Sequence, residues 1–143
     1  MTRELRLDRA RAAVEAALAR AARDDLRVSV AVVDAMGRDV LVVRGDGATW
    51  FTPEVARSKA RTAAAFRRDS AALAGLKESY PEVFALAGDQ VPFRPTTLPG
   101  GILLELDGEV VGAVGVSGAT PAQDVLCAEA ARDACAAFGT REG

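Results

Sequence analysis

The stretch Gly108-Glu109-Val110-Val111-Gly112-Ala113-Val114-Gly115-Val116-Ser117-Gly118-Ala119-Thr120-Pro121-Ala122-Gln123-Asp124 decides how this chain folds. It reads as an apolar strand, interrupted by glycines, that runs straight into a helix start. Thr120 suits an N-cap, Pro121 the first helical position and Gln123 the capping-box partner. Amides from Ser117 to Ala122 should then gather at the positive end of a helix dipole, where an anionic group can rest. A tight turn and close backbone packing explain the same glycines without any ligand. Gly112, Gly115 and Gly118 are spaced G-x-x-G-x-x-G, which is not the dinucleotide fingerprint, and no G-K-[ST] follows. Both nucleotide readings are therefore set aside.

Working outward, the segment belongs to a second hairpin: Ile102 to Leu106, an Asp107-Gly108 turn, and Glu109 to Ser117. A final helix is expected from Pro121 to Phe138. Upstream, Ala10, Ala13, Val14, Ala17, Leu18 and Ala21 recur at helical period between Asp8 and Asp24. Leu26 to Val33 reads as a buried strand, turned by residues 35–39 into a partner strand at Val40 to Val43. Thr52-Pro53-Glu54 repeats the cap-then-proline device and should open a helix running to about Arg67. Asp69 or Ser70 caps a shorter helix through Leu76, and Glu82 to Leu86 adds a further turn. Residues 88–99 hold three prolines and no periodicity, so a long loop is expected there, of the kind that borders sites. Hairpins with covering helices make an α+β fold around a central antiparallel sheet.

Composition narrows function mostly by exclusion. A chain of 143 residues is most simply one domain spanning 1–143. A net charge of -2 and the lack of a basic stripe argue against nucleic acid as a partner. No apolar run reaches the roughly 18 residues of a membrane span. The charged start Met1-Thr2-Arg3-Glu4-Leu5-Arg6 has no apolar signal core, so a cytoplasmic location and no membrane partner are expected. Cys127 and Cys135 lie on one helix about 12 Å apart. That is too far for a disulfide, and both read as small buried hydrophobes. Histidine is absent, which removes the usual general base, zinc ligand and haem axial ligand together. No metal site is expected.

Val28-Ser29-Val30-Ala31-Val32-Val33-Asp34 with Gly37, Asp46-Gly47-Ala48, Lys59-Ala60-Arg61-Thr62-Ala63 with Phe66 and Ser70, Gly100-Gly101, and the Gly108 to Gly118 run followed by Asp124 come in a specific order. In that order they resemble the GlcG/HbpS family, also called the haem-degrading or DUF336 domain, over residues 5–138. The resemblance implies a profilin-like α+β fold and assembly into homo-oligomers. It also implies binding of haem or another small ligand near subunit contacts. This sequence departs from the family pattern at Arg38, where members often carry histidine, and at Gly100-Gly101-Ile102-Leu103, which lacks a proline. Haem iron would need another ligand, from among Tyr80, Met36, Cys127, Cys135 and Lys59.

Lys59 stands near an apolar helical stripe of Val55, Thr62, Ala63 and Phe66, where a charge is unexpected. Either its stem covers apolar surface while the ammonium reaches water, or the charge faces a pocket and serves as carboxylate ligand or acid/base. Thr62 offers a hydroxyl on the same face or packs as a β-branched residue. Asp34 is placed to cap a turn, and Asp124 to meet a helix dipole; each is also a candidate proton carrier. Trp50 and Phe51 suit stacking on a planar ligand, a hydrophobic staple or an oligomer contact. The leading expectation is a small-ligand-binding protein holding a carboxylate-bearing or planar molecule, haem included. Lys59, Thr62, Gly115, Ser117 and Gly118 would bind its anionic part, and Trp50, Phe51 or Phe93 would cover the rest. The alternatives are a non-haem enzyme using Lys59, Asp34 and Asp124 for isomerisation, cyclisation or dehydration, and a structural assembly module.

Overall fold

The computed structural model describes residues 3–139. Its sheet is built by two hairpins, β1 (Ser29–Asp34) with β2 (Asp39–Arg44), and β3 (Gly101–Leu106) with β4 (Glu109–Ser117). The strand order is β2-β1-β4-β3, all neighbours antiparallel. β1 and β4 are central and buried almost throughout, which is why both read as continuous apolar runs. Both hairpin turns lie at one end of the sheet, and β4 leaves from the other.

Helix α1 (Leu7–Arg23) and helix α5 (Pro121–Ala137) cover one face, and α2 (Thr52–Phe66) covers the opposite face. Strand alternation divides the core accordingly. Val30, Val32, Ile102, Leu104, Val114 and Val116 point toward α1 and α5. Ala31, Val33 and Ala113 point toward α2, meeting Ala56, Ala60, Ala63 and Ala64. The expected α+β layering is present.

Glycine sets how closely α2 lies on the sheet. A Cβ on Gly115 would sit 2.0 Å from Ala56 O, and one on Gly101 2.3 Å from Lys59 O. The helix backbone occupies the space a side chain would need.

Local signals near the helix ends met different outcomes. At α5 the capping box forms as expected: Gln123 N donates to Thr120 Oγ1 (3.2 Å), and Thr120 N donates to Gln123 Oε1 (3.1 Å). At α2 the cap position falls to Phe51, so Thr52 is not the N-cap. A turn in the connection (Thr52 N to Thr49 O, 3.0 Å) draws Thr52 into the first helical turn. Its hydroxyl bonds Thr49 O (2.7 Å) and Ser29 Oγ (2.8 Å) instead. A 3-10 turn (Ser70–Ala72) leads into α3 (Leu73–Ser79), and the single turn expected near Glu82 is a full helix, α4 (Pro81–Asp89). α4 buries no residue and is held by Phe84 stacking on Phe66 (centroids 6.3 Å apart). No helix among the described residues is long and apolar enough to cross a membrane.

Candidate functional site

Lys59 and Asp124, each 3% exposed, form a buried ion pair between α2 and the first turn of α5. Lys59 Nζ donates to Asp124 Oδ2 (2.9 Å) and to Val116 O (2.8 Å), while Ala119 N donates to Asp124 Oδ1 (3.0 Å). Lys59 therefore neither snorkels to water nor faces an open pocket. Burial pushes the Asp124 carboxyl above its usual range; the Lys59 hydrogen bond and charge and the Ala119 amide pull it back. The anion resting at this helix start is the helix's own carboxylate. The hollow expected between Lys59 and the glycine-rich strand is filled. Gly115 backs onto α2, a Cβ on Gly118 would lie 2.5 Å from Arg27 O, and Ser117 is buried. With Lys59 and Asp124 bonded to each other, neither offers an accessible proton to a substrate.

The other expected residues are dispersed. Asp34 Oδ1 accepts from Met36 N (2.9 Å) and Arg38 N (3.0 Å), and Oδ2 pairs with Arg38 Nε (2.9 Å), so this carboxylate organises the β1–β2 turn. Trp50 and Phe51 meet edge to face (centroids 5.7 Å apart) on the surface, and neither lines either of the two hollows described below. Thr62 is fully buried. Its hydroxyl donates to Ser58 O (2.7 Å) and accepts from Thr96 N (3.1 Å), which ties the proline-rich loop to α2. Ser70 does the same one step along, donating to Leu98 O (2.6 Å) and accepting from Gly101 N (2.9 Å).

Those two hydroxyls shape the site. Between α2, α4 and the anchored loop lies an open cleft of about 950 Å³. Phe84, Phe93, Leu98 and Val55 give it apolar walls; Ser58, Thr96 and Thr97 add hydroxyls. Lys77 and Arg94 stand on its lining, and Asp89 is the acidic residue there. Lys77 lies over the Phe84 ring (5.9 Å to the centroid), and among the described residues neither Lys77 nor Arg94 has a carboxylate partner. Of the residues expected at a site, Phe93 is the one that lines this cleft. Phe84, Lys77 and Arg94 escaped sequence reading, although one phenylalanine before the proline-rich loop and one within it, beside scattered cations, were visible. A second hollow of about 1100 Å³ sits where the hairpins turn, lined by Leu5, Met36, Arg3, Arg38 and Arg67 among others. Arg3 and Arg38 are already paired there, with Asp107 and Asp34.

None of the five residues expected as alternative iron ligands lines the α2–α4 cleft, where Lys77 is the one amine. None of its lining residues is Tyr, Met or Cys. Cys127 and Cys135 are 1% exposed inside the α1–α5 layer, and burial raises both thiols. Met36 lies in the other hollow, Tyr80 lines neither, and Lys59 is bonded to Asp124.

Comparison with known proteins agrees with the fold. The family model described as "Haem degrading protein HbpS-like" matches residues 5–133. Protein GlcG of Escherichia coli (strain K12) is 35% identical over 108 residues, covering 76% of this chain and 77% of GlcG. A crystal structure of a double mutant of HbpS from Streptomyces reticuli superposes with a TM-score of 0.82 at 31% identity, covering 93% of this chain and 88% of that one. A crystal structure of a PduOC:heme complex gives 0.77 at 29% identity, covering 92% and 95%. The chain belongs to the HbpS-like family.

Proposed function

We propose that this protein binds a small, planar, carboxylate-bearing molecule in the α2–α4 cleft, through its body and its carboxylates rather than through a metal. The observation that carries this reading is the pair of cations, Lys77 and Arg94, without carboxylate partners among the described residues, on the lining of an apolar, phenylalanine-walled cleft. A flat ring system would lie against Phe84 and Phe93, and its carboxylates would meet the ammonium and guanidinium. Hydroxyls of Ser58, Thr96 and Thr97 would fix orientation. The related PduOC was crystallised with haem, a planar dicarboxylate, which supports the ligand class. In this chain the propionates would meet Lys77 and Arg94 and the ring face Phe84 and Phe93, while no Tyr, Met or Cys lines the cleft for the iron.

Titration with hemin and with iron-free protoporphyrin IX tests this, followed by Trp50 fluorescence and by absorbance. Both should bind saturably with closely similar affinity. Lys77→Ala/Arg94→Ala should weaken both by about tenfold or more, as expected for losing two charge-assisted contacts. Binding of hemin alone, or unchanged affinity in the double variant, would overturn the proposal.

A further inference from the structure

Helix α4 forms one wall of the cleft, yet little fixes it to the body of the protein. It buries no side chain, and α3 is its main packing partner among the helices and strands. The ground on the α3 side is firm: Leu73 is fully buried, and Ser70 just before it bonds Leu98 and Gly101. Tyr80 alone joins α3 to α4. Its amide donates back to Leu76 O (2.8 Å), and its carbonyl accepts from Phe84 N (3.1 Å). Among the described residues no backbone hydrogen bond spans this joint, and Pro81 has no amide to give one.

The far end of α4 is equally free. Residues 91–95 make no hydrogen bond and no ion pair among the described residues. Beyond them the chain is held again, Thr96 N by Thr62 Oγ1 (3.1 Å) and Leu98 O by Ser70 Oγ (2.6 Å). α4 thus hangs between two anchored segments, on a joint at one end and slack chain at the other. One aromatic latch meets it from α2: Phe84 stacks on Phe66, with centroids 6.3 Å apart. Lys77, beside the joint, lies over the same Phe84 ring.

We propose that α4 is a lid, which swings about Tyr80 and closes toward α2 over a ligand in the cleft. In the empty protein it samples a range of positions, because moving it breaks the Phe66–Phe84 contact and uncovers no core. A flat ligand gives α4 the apolar partner that its own wall lacks. A carboxylate on that ligand engages Lys77 at the joint, so the closed position gains contacts that the open one does not have. Closure over a ligand rests on the reading of the cleft given above; the hinge itself does not.

Spin labels at Glu54→Cys on α2 and Leu86→Cys on α4, both exposed and outside the cleft lining, read the lid position in the full chain by pulsed electron resonance. Cys127 and Cys135 are 1% exposed and out of reach of the label. A second labelled chain, Glu15→Cys on α1 with Glu54→Cys, gives a fixed reference across the sheet. Without ligand, the Glu54–Leu86 distances should spread more widely than the reference, and Phe66→Ala should widen them further. Saturating protoporphyrin IX should narrow and shorten them. A free chain no broader than the reference would overturn the lid whatever the cleft binds, as would a folded Phe66→Ala chain with unchanged distances. Saturable protoporphyrin binding that leaves the distances unaltered would overturn it too. If protoporphyrin does not bind, the reading of the cleft fails and closure fails with it, while the free-chain distances still decide the hinge. Should Phe66→Ala fail to fold, those free-chain distances decide alone.

Discussion

Burying the Lys59 ammonium and the Asp124 carboxylate together strips both of water, and that desolvation is the largest influence on the Asp124 carboxyl. The pair is retained because each charge has partners: two acceptors for Lys59, and the ammonium plus the Ala119 amide for Asp124. Removing one member should therefore harm more than removing both. Lys59→Met should cost about 3–5 kcal/mol, while Lys59→Met/Asp124→Leu should recover most of it. Urea unfolding of the two single variants and the double variant measures the coupling. The pH dependence has a definite sign. A carboxyl whose folded pKa is raised favours folding below its unfolded value near 3.8 and loses that contribution as pH rises through the folded value. Lys59→Met removes the influences that hold Asp124 down, so its stability deficit should be larger at pH 8 than at pH 5. Both residues were singled out by their sequence context, Lys59 as a charge on an apolar stripe and Asp124 in a first helical turn. Their pairing was not legible, because it joins positions 65 residues apart and no local pattern encodes it.

Among the elements, helix α5 was the most legible and the cleft the least. The Thr120–Gln123 capping box is a contact within four residues, so sequence spacing alone states it. The proline-rich loop has no period to read, and its shape depends on buried hydroxyls from distant elements, Thr62 on α2 and Ser70 beside α3. α4 was underestimated for a related reason: it buries nothing, so its sequence carries no strong apolar stripe, and its stacking on Phe66 is tertiary. These elements predict how the cleft is maintained. Thr62→Val fills the same volume but leaves the Thr96 amide without its acceptor. It should cost about 1–3 kcal/mol, keep the far-UV spectrum, and weaken protoporphyrin binding through faster dissociation. Unchanged affinity in stopped-flow measurements would show that the loop does not need this anchor.

At the scale of the whole molecule, the interior is mostly alanine, valine and backbone, with the helices drawn close on both faces of the sheet. Cys127 and Cys135 lie in the α1–α5 layer, where Arg9 also reaches Cys135 O and the Phe138 ring. Their burial predicts that a thiol reagent labels them only through opening of that layer. The labelling rate should rise with urea in step with loss of secondary structure, and fast labelling in buffer would show α5 detaching on its own. Ser70 links two properties of the molecule that seem unrelated. One hydroxyl oxygen holds both the cleft loop, at Leu98, and the guarded strand edge, at Gly101. At this residue breadth of guest and protection of the strand edge are therefore not separately adjustable: a Ser70 substitution that releases the loop for a bulkier guest also bares the Gly101 amide to another chain.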